Sequence, residues 1–416
     1  MSNSALSDGF SKSLPAAPRE LISAPDLPWL MRRCLRALVG IEYGVLEVVL
    51  PDGRHARFAG SKPGPHARLI IRSHRFVTHL FAGDVGFAEG YATGAWTSDD
   101  LVALLRLFAA NQALIDRFSA NPLVRMFQRA RHWLNRNSRA GSRRNIHAHY
   151  DLGNAFYRRW LDPSMTYSSG LGVSDDLAAA QRRKYAAIAA AAGIEAQHEV
   201  LEIGCGWGGF AEFAAREIGC RVTALTISQE QFDYATARIA AAGLADRVTV
   251  KFCDYRDETG TYDRIVSIEM FEAVGEAYWR GYFDTLNARL RPGGRAALQV
   301  ITIREDIFPR YRQEMDFIRH VIFPGGMLPT PTHLKALGQE QGFTTSHYAA
   351  FGQDYAATCR LWREAFEAEW PAIAPLGFDE RFRHVWRYYL AYCEAGFAEG
   401  TVDVCHIAYL KPEVVA

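Results

Sequence analysis

The chain contains one glycine-rich string in which an apolar run leads into a turn: Val200-Leu201-Glu202-Ile203-Gly204-Cys205-Gly206-Trp207-Gly208-Gly209-Phe210. Glycines in this position permit a tight turn and let a ligand approach the backbone, and a helix that follows offers free N–H groups at its N-terminus. Gly204, Gly206 and Gly209 also satisfy the dinucleotide pattern G-x-G-x-x-G, which requires a carboxylate about 20 positions further on. The next predicted strand ends Leu225-Thr226-Ile227-Ser228, without a carboxylate. The string therefore predicts a ligand-binding turn, while a dinucleotide site lacks its ribose-binding acid.

Strand and helix patterns alternate regularly around this string. The predicted strands are 198–203, 221–227, 248–252, 262–268 and 295–302, and the helix-like stretches are 177–192, 210–217, 229–242 and 278–290. Such alternation predicts a mostly parallel sheet with helices on both faces. Two late strands, 344–351 and 401–411, follow a helical insertion at about 304–342. The predicted fold class is α/β.

A smaller α+β domain is predicted ahead of this region, because residues 28–120 mix helical patterns with strand candidates at 45–50 and 69–72. No Asp or Glu occurs from Arg117 to Tyr150, whereas arginines are frequent there, and apolar residues recur at helical spacing. This pattern predicts a basic amphipathic helix that lies on an anionic membrane or packs between domains. The predicted organisation is a flexible N-terminus (1–25), an N-terminal lipid- or membrane-binding domain (26–120), a basic linker (121–145) and a catalytic domain (146–416).

Composition narrows the class of protein. The 416 residues are 49% hydrophobic and 22% charged, which excludes disordered, collagen-like and disulfide-scaffold proteins. No uncharged apolar run approaches the ~20 residues that span a bilayer, and no secretory signal is recognisable. The seven cysteines are scattered, which predicts reduced thiols in a cytoplasmic protein, and a net charge of +1 argues against wholesale nucleic-acid binding. His147 and His149 have no partners at metal spacing, so no metal site is predicted.

Polar residues after the predicted strands suit an adenosyl ligand. Glu202 to Gly208 has the form E-x-G-x-G-x-G, which resembles the first motif of class I S-adenosylmethionine-dependent methyltransferases. Ribose hydroxyl contacts are predicted for Thr226, Ser228 and Gln231. After the third strand, Asp254 is placed to accept from an adenine amino group and Tyr255 to cover the ring.

Several further strings occur in the order found in one enzyme family. They are His149-Tyr150-Asp151-Leu152-Gly153-Asn154, Met165-Thr166-Tyr167-Ser168-Ser169, Ser267-Ile268-Glu269-Met270-Phe271-Glu272-Ala273-Val274-Gly275 and Tyr388-Tyr389-Leu390-Ala391-Tyr392-Cys393-Glu394-Ala395-Gly396-Phe397. Over about 145–412 the sequence resembles cyclopropane-fatty-acyl-phospholipid synthases and mycolic acid cyclopropane synthases. The resemblance implies methyl transfer from S-adenosylmethionine to a cis double bond of a phospholipid acyl chain. A bound bicarbonate then takes up a proton as the ring closes.

The resemblance also implies a set of site residues. Glu272 matches the glutamate that anchors bicarbonate, Tyr355 matches a tyrosine at that site, and Ile301 contributes its backbone. Ser169 stands where the family usually has Cys, and Gln299 where it has His; both are expected to hydrogen-bond an anion. Cys393 matches a catalytic candidate of the family, although it is equally interpreted as a small apolar residue of a helix. Tyr167 and Ser168 match residues that line the sulfonium end of the cofactor. Gly204, Gly206 and Gly208 match the glycines beneath its amino-acid portion.

The predicted function is a C-methyltransferase of the cyclopropane-fatty-acyl-phospholipid synthase type, acting on unsaturated acyl chains of membrane phospholipids. Because Ser169 and Gln299 depart from the family pattern, a methyl branch or a methylated alkene remains an alternative product. A small-molecule O- or N-methyltransferase and a catalytically silent lipid-binding protein are further alternatives. The predicted partners are unsaturated phospholipid, an anionic membrane surface and a second copy of the chain. The predicted location is cytoplasmic and peripheral, on the inner face of the cell membrane.

Overall fold

The computed structural model describes residues 18–80, 82–112 and 152–413. The predicted basic linker (121–145), His147, His149 and most of the predicted flexible N-terminus lie outside the described residues. The domain boundaries given above stay predictions. Within the described residues, no helix is both long and apolar enough to span a bilayer.

The N-terminal part is a small α+β unit, as predicted. Its elements are α1 (Pro18–Ser23), α2 (Trp29–Leu38), β1 (Tyr43–Val49), β2 (His55–Ala59), β3 (Lys62–Ile71), α3 (Phe76–Leu80), α4 (Gly83–Ala92), β4 (Trp96–Thr97) and α5 (Leu101–Ala110). The strands form a sheet in the order β2-β1-β3-β4. Burial alternates along β1, so Leu46 and Val48 point inward, which is the period of a half-buried strand. The predicted strand 69–72 corresponds to the end of β3. The first half of β3 was not predicted, because Pro63, Gly64 and Pro65 are untypical of a strand.

The C-terminal part contains the predicted alternating fold. Its elements are α6 (Asn154–Trp160), α7 (Leu177–Ala192), β5 (Glu199–Ile203), α8 (Gly209–Phe213), β6 (Arg221–Thr226), α9 (Gln229–Ala241), β7 (Val248–Phe252), β8 (Tyr262–Ile268), α10 (Trp279–Arg289), β9 (Leu290–Ile303), α11 (Phe308–Tyr311), α12 (Pro331–Glu340), β10 (Thr344–Ala350), α13 (Gly352–Ile373), α14 (Glu380–Ala398) and β11 (Val402–Leu410). A π-helical turn at Ala214–Ile218 continues α8, and another lies at Ile318–Ile322 in the insertion.

These strands form a seven-stranded sheet in the order β10-β11-β9-β8-β5-β6-β7. Strands β5 to β9 are parallel, and β11 pairs antiparallel with both β9 and β10. The chain moves outward from β5 through β6 and β7, and then returns to the other side of β5 with β8. The carboxyl ends of β5 and β8 therefore flank a switch point, where open α/β sheets bind ligands.

The two parts share an apolar core. One cluster of buried residues combines Leu104 and Trp96 of the N-terminal part with Tyr388 of α14. Arg106 and Glu399 form an ion pair of 2.7 Å across the same boundary. The N-terminal sheet and helices are therefore joined to the helices that follow β10.

Candidate active site

The glycine string forms the turn between β5 and α8. Gly204, Gly206 and Gly208 have φ values of +82°, +53° and +81°, in the left-handed region that glycine adopts most easily. A Cβ atom on Gly204 would lie 2.7 Å from Met270 Cγ, whereas one on Gly206 would meet no atom of residues 18–80, 82–112 or 152–413 within 4 Å. Gly204 thus packs closely against the protein, whereas Gly206 faces open space.

A cavity of about 620 Å³ begins at this turn. Its lining includes most of the predicted cofactor residues: Tyr167, Ser168, Glu202, Gly204, Gly206, Thr226, Gln231, Asp254 and Tyr255. Gly208 and Ser228 do not line it. Ser228 instead caps α9, because its hydroxyl oxygen accepts from the backbone N–H of Gln231. The structure therefore brings the predicted residues to one place, with Ser228 positioning its neighbour.

The predicted adenosine contacts are already held in place by other side chains. The Thr226 hydroxyl donates to Gln231 Oε1 at 2.9 Å. Arg256 donates to both carboxylate oxygens of Asp254, with Nε 2.8 Å from Oδ1 and Nη2 2.5 Å from Oδ2. An ionised carboxylate has about four lone-pair sites, so Asp254 retains acceptor capacity for an amino group in the cavity.

A buried lysine lies beside the sulfonium end of the predicted site. Lys184 donates to the Ser168 hydroxyl at 2.6 Å, and burial lowers the pKa of its ammonium to about 8. Glu202 lies near it, and one of its carboxylate oxygens is buried without a hydrogen-bond partner in the part of the chain that the structure describes. Burial raises the pKa of Glu202 well above its ordinary value. Lys184 is absent from the predicted residues, because a lysine in an alanine-rich helix ordinarily indicates a solvated face.

Three hydrogen-bond donors converge on the carboxylate of Glu269, which follows β8 directly. Tyr355 donates its hydroxyl at 2.5 Å, the Gln299 side-chain amide donates at 2.7 Å and the Ser169 backbone N–H donates at 2.9 Å. The Ser169 hydroxyl, which is predicted to hydrogen-bond an anion, donates to the carbonyl oxygen of Gly170 at 2.8 Å. Glu269 is absent from the predicted residues, although it lies three positions before Glu272 in the quoted string.

Glu272 is the second buried carboxyl group of the cluster. One of its oxygens accepts from the Ile301 backbone N–H at 2.6 Å, and the other is buried and has no hydrogen-bond partner among the described residues. Burial, together with the neighbouring charge of Glu269, raises the pKa of Glu272 to about 8. Burial also raises the pKa of Glu269, but its three hydrogen-bond donors act against that rise. Glu272 is therefore the carboxyl group that holds a proton near neutral pH.

His406 fixes the orientation of Gln299. The two residues face each other in the register of β11 and β9, and the imidazole Nε2 lies 2.8 Å from Gln299 Oε1. Because an amide oxygen only accepts, Nε2 carries the proton and the Gln299 amide group turns toward Glu269. Burial lowers the pKa of His406 to about 3, so the ring is neutral.

Aromatic rings and a cysteine complete this section of the cavity. Tyr167 lies 5.3 Å from Trp362 between ring centroids, and its hydroxyl is 2.6 Å from that of Tyr389. Tyr355 stacks on Phe397 at 4.2 Å. Such faces stabilise a nearby cation. Cys393 also lines the cavity, but burial raises the pKa of its thiol well above the ordinary value, so it is a neutral thiol at physiological pH.

The sheet order, glycine turn and buried polar cavity define a class I S-adenosylmethionine-dependent methyltransferase. The family model described as "Mycolic acid cyclopropane synthetase" matches residues 137–407. The chain belongs to this family of lipid-modifying methyltransferases.

Individual relatives extend the match beyond the catalytic part. Tuberculostearic acid methyltransferase UfaA1 of Mycobacterium tuberculosis is 40% identical over 94% of this chain and 92% of its own length. Cyclopropane-fatty-acyl-phospholipid synthase of Escherichia coli is 33% identical over 88% of this chain and 96% of its own length. The structure of mycolic acid cyclopropane synthase CmaA1 complexed with SAH and CTAB aligns with a TM-score of 0.61 at 29% identity, covering 65% of this chain and 98% of that one. The predicted fold class and family are confirmed.

Proposed function

We propose that the protein transfers the methyl group of S-adenosylmethionine to the double bond of an unsaturated acyl chain in a membrane phospholipid. One observation carries this proposal: the cavity that starts at the glycine turn passes the two carboxyl groups and continues into the interior of the N-terminal part. A soluble small substrate would need no such extension.

The extension has the surface that a hydrocarbon chain requires. Its lining in the N-terminal part is almost wholly apolar and includes Leu35, Val48, Ile71, Leu105 and Phe108. A predominantly apolar pocket with a few convergent polar groups is typical of a ligand site. Placing the acyl tail there brings a double bond within the chain beside the aromatic rings and carboxyl groups.

The residues around the reacting atoms favour attack by a weak nucleophile. An alkene needs close alignment with the sulfonium methyl and exclusion of water, which a buried aromatic pocket supplies. The faces of Tyr167, Trp362 and Tyr389 stabilise the positive charge that develops on the chain. The carboxyl pair then provides the acceptor for the proton that must leave.

The outer face of α2 supports delivery from a membrane surface. Met31 and Leu35 on its inner face line the cavity, while Trp29 is 61% exposed and Arg33 and Arg36 are exposed on the outer side. Basic and aromatic residues on an amphipathic helix suit an anionic lipid interface. We therefore propose peripheral attachment to the inner face of the cell membrane. The homodimer remains a prediction from the family resemblance.

The relatives differ in the product that their names indicate. The relative matched over 94% of the chain is named for methylation, whereas the Escherichia coli relative is named for ring formation. The higher identity and coverage favour a methylated open chain over a ring.

Lipid analysis tests the function directly. The purified protein is incubated with S-adenosylmethionine and vesicles of unsaturated anionic phospholipid, and the released acyl chains are analysed by gas chromatography–mass spectrometry. We expect a mass gain of one methylene per modified chain and a fragmentation pattern that distinguishes branch, alkene and ring. Unchanged acyl chains would reject the proposal, and turnover of a soluble acceptor without vesicles would favour a small-molecule methyltransferase.

A further inference from the structure

The carboxylate of Glu269 occupies the position where an exchangeable anion is expected. We infer that this protein carries its own fixed carboxylate in the anion site, so that Glu269 receives the proton lost from the methylated chain and bicarbonate is not required. The inference rests on the proposed function, and it adds a catalytic residue that the family resemblance does not assign.

The donors expected to hold an anion are already in use. Tyr355, Gln299 and Ser169 all donate to Glu269 at 2.5 to 2.9 Å. The Ile301 N–H donates to Glu272. A separate bicarbonate would have to displace these bonds and bring a further negative charge beside two buried carboxyl groups, which is unfavourable in a region of low dielectric. The residues present therefore do not fit bicarbonate.

The backbone at Glu269 is held in an uncommon conformation. Among the described residues, only Met165 and Glu269 are non-glycine residues with positive φ, at +56° and +49°. This conformation is unfavourable for an L-residue, and such strain concentrates at functional sites. Both residues line the cavity. The fold therefore maintains a glutamate at a position whose backbone would suit glycine.

The surrounding groups keep the Glu269 carboxylate oriented toward the cavity. His406 holds the Gln299 amide in the donating orientation, and Tyr355 is fixed by its stacking on Phe397. Burial raises the pKa of Glu269, while the hydrogen bonds from Tyr355 and Ser169 and the positive charge of Lys184 act against that rise. The hydrogen bonds of this arrangement form between groups of the chain itself.

The chemistry balances with Glu269 as the acceptor. The alkene π electrons form a bond to the sulfonium methyl carbon as the carbon–sulfur bond breaks, which leaves a neutral thioether and a positive charge on the second alkene carbon. The cation then loses one proton to a Glu269 carboxylate oxygen. The electron pair of that C–H bond forms either a new C=C bond or the third side of a ring, so no further reactant is needed.

Two substitutions at position 269 distinguish the Glu269 carboxylate from a bound bicarbonate as the proton acceptor. Glu269→Gly empties the anion site and relieves the backbone strain, whereas Glu269→Gln keeps the site filled without a basic oxygen. We expect wild-type turnover to be unchanged in carbon-dioxide-depleted buffer. Glu269→Gly should lose about 100-fold in turnover, the scale of general-base catalysis, and recover at least tenfold on addition of bicarbonate. Glu269→Gln should lose activity similarly without recovery.

A binding measurement makes the result independent of turnover. Carbon-13-labelled bicarbonate is titrated in an NMR experiment with S-adenosylhomocysteine present, and we expect line broadening with Glu269→Gly and none with the wild type. Thermal unfolding checks that both variants fold, and Asp175→Asn, which removes a fully exposed carboxylate, serves as the control. Bicarbonate dependence of the wild-type rate, or binding of labelled bicarbonate to the wild type, would overturn the inference. If the wild type methylates no lipid, the proposed function fails, and the binding result still decides what fills the anion site.

Discussion

The glycine turn after β5 and the carboxylate cluster after β8 lie at the same edge of one sheet, but they are assembled differently. The turn comes from a single string of neighbouring residues, and its φ values follow from its glycines. The cluster takes its groups from β8, β9, α13 and β11, and residues 86 positions apart meet in the bond between Tyr355 and Glu269. A local motif therefore forms the proposed site of the methyl donor, whereas a long-range arrangement forms the proposed proton acceptor.

The largest effect is expected from the pH dependence of the cluster. The pKa of Glu272 is raised from 4.5 to about 8 in the folded protein, so the folded state binds more protons than the unfolded state between these values. The group's contribution is fully present below pH 4.5 and is lost as the pH rises toward 8, on the order of 3–5 kcal/mol. Glu272→Gln should remove most of this dependence of the free energy of unfolding on pH. Urea unfolding of both proteins at pH 5, 6.5 and 8 measures it, and parallel curves would contradict the assignment.

A second effect concerns turnover. Glu272→Gln should lower kcat about 100-fold, because an amide can neither take up nor release a proton beside Glu269. The affinity for S-adenosylhomocysteine, measured by calorimetry, should change by less than about threefold, since the glycine turn is untouched. A comparable loss of kcat and affinity would show that Glu272 supports folding of the whole site.

A smaller effect is expected at the glycine turn, where a substitution should weaken cofactor binding. Gly206→Ala should weaken S-adenosylmethionine binding about tenfold, or ~1.4 kcal/mol, because the new methyl group enters space that the protein leaves open. Gly243→Ala is the matched control: Gly243 also has positive φ and an unobstructed Cβ direction, and it does not line the cavity. Calorimetry should show an unchanged affinity for the control. Equal weakening in both variants would attribute the effect to backbone strain.

Much of the fold could be predicted because it depends on local patterns. The predicted strand 262–268 coincides with β8, and the predicted helix 177–192 with α7. Strand β2 was less accessible to prediction, since its five residues alternate among His, Arg and Ala with one aromatic ring. The long β9 begins at Leu290, five residues before the start of the predicted strand. The prediction starts late because the run Arg291-Pro292-Gly293-Gly294 has the composition of a turn, although it lies within β9.

The sequence predicted those site residues that could be matched individually to the motifs of the family. Glu272, Tyr355 and Ile301 lie together at the cavity, and the two carboxyl groups of the cluster belong to one string. The role of Glu269 required knowing which acceptor Tyr355 and Gln299 contact. Lys184 and His406 give no signal in the sequence, because a single lysine or histidine in an ordinary helix or strand is usually structural.

The sequence by itself determined the alternation of strands and helices, the glycine turn and the order of the family strings, because each depends on the spacing of neighbouring residues. Only the tertiary structure decided that Glu269 takes up the donors predicted to hold an anion, that His406 orients Gln299, and that the interior of the N-terminal part continues the cavity. These features depend on strand register and on the packing of segments far apart in the chain. Local periodicity does not encode such relations, because a side chain's partner is set by the fold around it.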